Sequence, residues 1–418
     1  SPPALNKLPV KAIVIACNTA SAYGKPHIEK LVEATGLNIP VIGVVDAGAR
    51  GALDLFNDGQ SGTIGVLATR ATVLAKAYPR AIEAEIARRR LAEGKLQIGV
   101  VQQGSLGMAG AIDGVAEFIV PADKANRPRD DYQGPSFTQP HARIDPAILP
   151  RYAFDFSQNR VLFAGTPEQP TVLQLNSVAN YLKYDLVSLL ETLRQTPDAK
   201  PLRAIILGCT HFPYHADLFH EELRRLADYQ ENGVYIYRDL IASGVKLIDP
   251  AYYVGRELYL RLAEASLLDP TLDTRPGQTR GEFYITVPHR GRPQVQLSAA
   301  GQFTHEYKYS PDRPQAGADY RAIPLRQEQL DSETAGRLRR QVPVVWEMLD
   351  EFHGRNDKAA ACESAGATAA VPQTEFHVAS NGDDANPGAL ERPFASLERA
   401  RDAVRQLKRS QGLPEGGV

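Results

Sequence analysis

Between Val10 and about Leu268 the chain alternates short apolar runs with amphipathic stretches. The runs Val10–Ala16, Val41–Val45, Thr63–Ala68, Gln97–Val101, Arg203–Gly208 and Lys246–Ile248 are short, apolar and largely β-branched. Runs of that kind read as strands buried on both faces of a parallel sheet. Between them, His27–Thr35, Ala71–Glu93, Val178–Gln195 and Ala216–Tyr229 read as helices. Strands separated by helices predict right-handed βαβ units and a mainly parallel sheet. Residues 116 to about 170 break the rhythm, being rich in Pro, Asp, Arg and Gly. They read as a long insertion, and loops of such length are either functional lids or disordered.

Beyond residue 280 the pattern changes. Glu282–Val287 and Gln294–Leu297 read as strands and Ser332–Phe352 as a helix. From Gly354 to Thr374 the chain is Ala, Gly, Ser and Thr with few apolar anchors, the composition of a linker. The expected division is therefore 1–275, an α/β region with its insertion at about 116–170; 276–353, an extension; 354–375, a linker; and 376–418, a further domain start. Composition changes this picture little. A net charge of −2, with 23% charged and 43% hydrophobic residues, gives no basic field for nucleic acid. No apolar run approaches the ~20 residues that cross a bilayer. An odd, sparse set of three cysteines argues against a disulfide framework and for a reducing, cytosolic compartment. Cys362 lies in the linker with no strand before it, and reads as an incidental thiol.

The other two cysteines occur in matching sentences. Ala12–Thr19 and Ala204–His211 are each an apolar run that stops at a cysteine followed by hydrogen-bonding residues. Ligands of open α/β sheets bind at the carboxyl ends of the strands. Cys17 and Cys209 are thus placed to face one cleft from two related halves. Two thiols suit inversion at a carbon centre, which needs one group to take a proton from one face and another to return it to the opposite face. With an ordinary thiol pKa of ~8.5, a modest local influence brings such a group near neutral working pH. Their titrations should be coupled. Helix-start N–H groups after each cysteine, with Asn18, Thr19 and Thr210, are placed to stabilise a carboxylate. Competing readings are plain. A buried cysteine is often just a small hydrophobe, Thr69 and Thr72 could simply cap a helix, and His211, His215 and His220 lack a zinc-like ligand pattern. No phosphate loop or pyridoxal lysine motif is visible, and no cofactor is expected.

The segments Val10–Gly24 (VKAIVIACNTASAYG), Ile39–Gly43 (IPVIG), Ile64–Val73 (IGVLATRATV), Leu207–Pro213 (LGCTHFP) and Leu247–Ala251 (LIDPA) resemble glutamate racemase of the cofactor-independent aspartate/glutamate racemase superfamily. The resemblance covers about residues 8–268. It implies an α/β fold of two pseudo-symmetric three-layer lobes with mainly parallel sheets. It also implies interconversion of L- and D-glutamate for peptidoglycan, in the cytoplasm and without a cofactor. By this resemblance Cys17 and Cys209 are the catalytic thiols, His211 assists the second, and Asp113 is the acid orienting that histidine. Asn18, Thr19, Thr69, Thr72 and Thr210 contact substrate. The family's Asp-Ser-Gly and Pro-Tyr-Gly pocket segments are not found in the sequence, so an amino-terminally incomplete member is expected. A sibling isomerase of the superfamily, or an impaired fragment acting as a binding module, are the alternatives. The partner expected is a small amino acid, not nucleic acid or membrane, with a homodimer as the candidate assembly.

Phe376–Val418 has a second resemblance, to the opening of right-handed parallel β-helix domains of the pectate-lyase-like kind. Asn381-Gly382 and Pro387-Gly388 are turn formers, and Leu397, Ala400, Val404 and Leu407 have helical spacing. A cap of such a solenoid cannot bury its apolar face alone, so a truncated cap without activity is expected here.

Overall fold

A computed structural model describes residues 10–89, 96–121 and 123–268, and parts of 281–353 and 376–411. The chain divides into two units, Ser1–Pro270 and Thr271–Val418. The first unit is the α/β structure that the alternation predicts. Strands β1 (Ile13–Ile15) and β2 (Val41–Gly43) pair in parallel. Helix α1 (Asn18–Ala34) runs between them and starts directly after Cys17, nine residues earlier in the chain than the predicted His27. Pro26 lies inside it, where it removes one intrahelical N–H without ending the helix.

The run Val41–Val45 is split. The strand stops at Gly43, and Val44 opens α2 (Val44–Leu53). Eight of its ten residues are buried, so no polar stripe marks its period in the sequence. The predicted helix Ala71–Glu93 is also split, into α3 (Arg70–Leu74) and α4 (Ala77–Arg89), because Lys76 turns the chain at φ +49°. Its last residues lie outside the described part.

Strands β3 (Gly62–Thr69) and β4 (Ile98–Ser105) lie side by side in parallel, Thr69 level with Ser105. After β4 come α5 (Met108–Ile112), α6 (Leu149–Tyr152) and an antiparallel hairpin of β5 (Val161–Gly165) and β6 (Pro170–Leu175). Helix α7 (Val178–Gln195), strand β7 (Leu202–Gly208) and helix α8 (Ala216–Ala227) follow. A small ladder joins β8 (Gln230–Glu231) to β9 (Val234–Tyr235), and β10 (Ile241–Ile248) and α9 (Pro250–Glu264) close the unit. One sheet has the order β10-β7-β3-β4, all parallel; β1 and β2 form the other parallel pair. The two thiol-bearing strands thus belong to separate parallel sheets of unequal size.

The segment 116–170 is neither a free lid nor disordered over its described residues. Ala142, Ile144, Tyr152, Phe154 and Val161 are buried in the larger core cluster with α7. Arg151 fastens it further, donating to Glu191 on α7 at 2.7 Å and twice to Glu231 at 2.9 Å. Apolar anchors in irregular spacing hold this segment, which is why composition alone points the other way.

In the second unit, β11 (Tyr284–Pro288) pairs antiparallel with β12 (Tyr320–Pro324). The predicted strand Gln294–Leu297 forms no ladder among the described residues; Leu297 makes a single bridge to Phe303. The helix Ser332–Gln341 stops before Pro343, and a second runs over 343–353. Pro343 has no N–H to continue the first ladder. The linker and Cys362 lie outside the described residues. In 376–411 a bridge joins Val378 to Phe394, and Asp384 accepts from the backbone of Ala395 and Ser396 just before helix Leu397–Gln411. Among the described residues no helix is long and apolar enough to cross a membrane.

Candidate active site

The site forms where parallel strands end together. Ala68 pairs with Gly208, so Thr69 at the end of β3 and Cys209 just beyond β7 sit beside each other. Ser105 ends β4 on the other side of Thr69. Thr19, in the first turn of α1, reaches Thr69 at 3.1 Å and Thr72 at 3.0 Å, and Thr69 and Thr72 are 3.0 Å apart. Three hydroxyls from α1, β3 and α3 therefore close a triangle. It brings the loop of Cys17, the N-cap of α1, to the end of the strand that flanks Cys209.

Cys17 is exposed and Cys209 is buried. The thiol of Cys209 lies 3.3 Å from Nδ1 of His211, and Nε2 of His211 lies 3.1 Å from Oδ2 of Asp113. This Asp–His–thiol line is assembled by two short elements. Asp113 caps α5, whose entry requires Gly107 at φ +99°, where a Cβ would lie 2.6 Å from Phe118. His211 sits in the turn after β7. That turn enters a 3-10 segment, Phe212–His215, before α8 begins, so the direct helix start expected after Cys209 is absent. Burial pushes the Cys209 thiol above its usual pKa; the backbone N–H of His211 opposes this, and the charges of Cys17 and Asp113 add to it. Burial disfavours the anion and a like charge nearby disfavours it further. Cys209 therefore rests as a thiol, and Cys17 is close enough for its charge to act there.

Asn18 is 4% exposed and accepts a 2.6 Å hydrogen bond from the phenol of Tyr78 through Oδ1. Thr210 is exposed. The structure thus groups Cys209, His211 and Asp113 in one line and Thr19, Thr69 and Thr72 in another cluster, with Asn18 between α1 and α4. Sequence reasoning missed Tyr78, which in a helix looks like any core aromatic. It also missed Asp185 on α7, buried opposite β4, whose Oδ1 accepts from Gln103 at 3.2 Å. No group of three or more His, Cys, Asp or Glu among the described residues could hold a metal ion.

The sequence pattern of the Asp/Glu/Hydantoin racemase family matches residues 3–126. The glutamate racemase of Limosilactobacillus fermentum (strain NBRC 3956 / LMG 18251) is 40% identical over 124 residues, 28% of this chain and 41% of that protein. That of Listeria monocytogenes serotype 4a (strain HCC23) is 38% identical over 116 residues, 27% and 40% of the two chains. These matches span about two fifths of the length of the relatives. Among solved structures, glutamate racemase isoform RacE1 from Bacillus anthracis matches with 20% identity over 64% of this chain and 63% of that one, at a TM-score of 0.34. Cys209 and His211 lie beyond the segment matched by the family pattern. The segment that matches the Asp/Glu/Hydantoin racemase pattern, residues 3–126, holds Cys17, Thr19, Thr69, Thr72 and Asp113.

Proposed function

We propose that the chain is a cofactor-independent racemase that interconverts L- and D-glutamate by proton transfer between two thiols. The observation that carries this is the line Asp113–His211–Cys209, with the charge of Cys17 felt at its sulfur. In one direction the thiolate of Cys17 removes the Cα proton from one face while Cys209, a thiol at rest, gives its proton to the other. In the reverse direction the roles exchange. His211, oriented by Asp113, assists Cys209 in both. The first-turn N–H groups of α1, with Asn18, Thr210 and the threonine triangle, hold the substrate carboxylate as negative charge develops at Cα. The D-glutamate so formed serves peptidoglycan synthesis in the cytoplasm.

Incubation with L-glutamate in D2O tests this. Deuterium enters Cα with appearance of the D-isomer, and Cys17→Ser and Cys209→Ser each abolish racemisation. Full activity in either variant ends the two-thiol mechanism. The breadth of the family makes aspartate and a hydantoin the two competing substrates for the same assay. Absence of exchange with all three favours a cleft that only binds.

A further inference from the structure

The tyrosine of α4 stands between the two cysteine loops. Tyr78 has no exposed surface. Its ring lies against the end of β7: a Cβ added at Gly208, the residue before Cys209, would come within 3.0 Å of Cε2. On the other side a Cβ at Gly48 of α2 would come within 3.3 Å of Cε1. Both glycines are what allow the ring to enter. Its hydroxyl reaches Oδ1 of Asn18, the residue after Cys17. One rigid side chain thus touches the neighbour of each thiol.

The direction of the hydrogen bond matters. A phenol is both donor and acceptor, and a primary amide offers one oxygen and one NH2. With the oxygen taken by Tyr78, the NH2 of Asn18 is the end left to face a ligand, and it makes no other hydrogen bond among the described residues. An NH2 donor beside a helix N-terminus suits a carboxylate. Burial, with the charges of Asp46, Cys209 and Asp249, holds the Tyr78 phenol far above its ordinary pKa, so it remains a donor.

We infer that Tyr78 is a positioning residue of this site: its ring spaces the two cysteine loops, and its hydroxyl fixes the Asn18 amide with the NH2 turned toward the substrate carboxylate. This rests on the racemase reading for its ligand, while the amide's orientation can be measured without turnover.

The test uses Tyr78→Phe, which keeps the ring and deletes the hydroxyl, alone and combined with Asn18→Ala. In racemisation assays Tyr78→Phe raises KM for glutamate about three- to tenfold, the value of one neutral hydrogen bond, with kcat within twofold. In the Asn18→Ala background the same change leaves KM unmoved. An unchanged KM in Tyr78→Phe, or an equal loss in both backgrounds, overturns the inference. In parallel, 15N-asparagine labelling follows the Asn18 NH2 pair, identified by its loss in Asn18→Ala. The pair shifts in Tyr78→Phe if the phenol holds the amide; an unshifted pair overturns the inference even where the chain turns over no glutamate. Absence of Cα exchange in the unmodified chain, with a shifted pair, sinks only the racemase reading.

Discussion

At the scale of single residues, the two thiols are unlike. Cys209 is buried and pushed up in pKa partly by the charge of Cys17, and that influence can be read directly. Removing a neighbouring negative charge eases ionisation, so in Cys17→Ser the Cys209 thiol deprotonates at lower pH. The rate of Cys209 alkylation by iodoacetamide, followed against pH by peptide mass spectrometry, should therefore move to lower pH in that variant. An unmoved profile places the thiols too far apart to cooperate. Asp185 gives a second test. Burial raises its carboxyl to about 7, while the neighbouring dipoles of Ser105 and Gln103 lower it only part of the way. The native state then keeps a proton that the unfolded chain releases near its ordinary value of 3.8. Stability from this group is fully present below that value, falls as pH rises toward 7, and is flat above. Asp185→Asn should thus be no more stable than the parent at pH 4 and more stable at pH 8, by on the order of 4 kcal/mol. Urea unfolding at the two pH values checks the sign. The candidate cysteines, threonines and His211 stand out in the sequence because they cluster at the ends of apolar runs, and the structure brings Thr19, Thr69 and Thr72 together and sets Cys209 beside His211. Tyr78 and Asp185 do not stand out in this way, since their partners come from elements distant in the chain.

At the scale of elements, legibility followed patterning. Each of the six strands of the two parallel sheets overlaps a predicted apolar run, though β4 continues to Ser105 and β10 begins already at Ile241, and α7 has the bounds its periodicity predicts. Helix α2 was hidden because it is buried nearly all round, and an apolar run without a polar stripe has no readable period. The division of α3 from α4 rests on one backbone angle at Lys76, a residue with no turn preference to announce it. The segment 116–170 illustrates the opposite failure, since its Pro- and Asp-rich composition masks real anchors. Among them is Arg151, whose guanidinium meets Glu191 and Glu231. Burial alone raises the pKa of Glu191, but hydrogen bonds from Arg194, Tyr237 and Arg151 leave it lowered. Arg151→Ala removes one of these three and strips Glu231 of its pair. A loss of roughly 2–3 kcal/mol is expected, since breaking a part-buried pair leaves charge without its partner. Chemical denaturation measures it, and a change below ~0.5 kcal/mol would assign the anchoring to the apolar contacts alone.

At the scale of the whole molecule, the family match ends at residue 126, yet the line from Asp113 to Cys209 crosses that limit. The reason is topological. A parallel sheet brings β3 and β7 side by side although well over a hundred residues separate them in sequence, and their ends share one level. The closed triangle of Thr19, Thr69 and Thr72 has a consequence for how such a pocket fills and empties. Each hydroxyl already has companions within the triangle, so none of the three is an orphan. If these groups hold the substrate carboxylate as proposed, it must swap their existing bonds for its own, gaining little net free energy from them. Under the proposed function, loose grip and quick departure follow, as inversion between two mirror-image forms requires, since holding either one tightly would stall turnover.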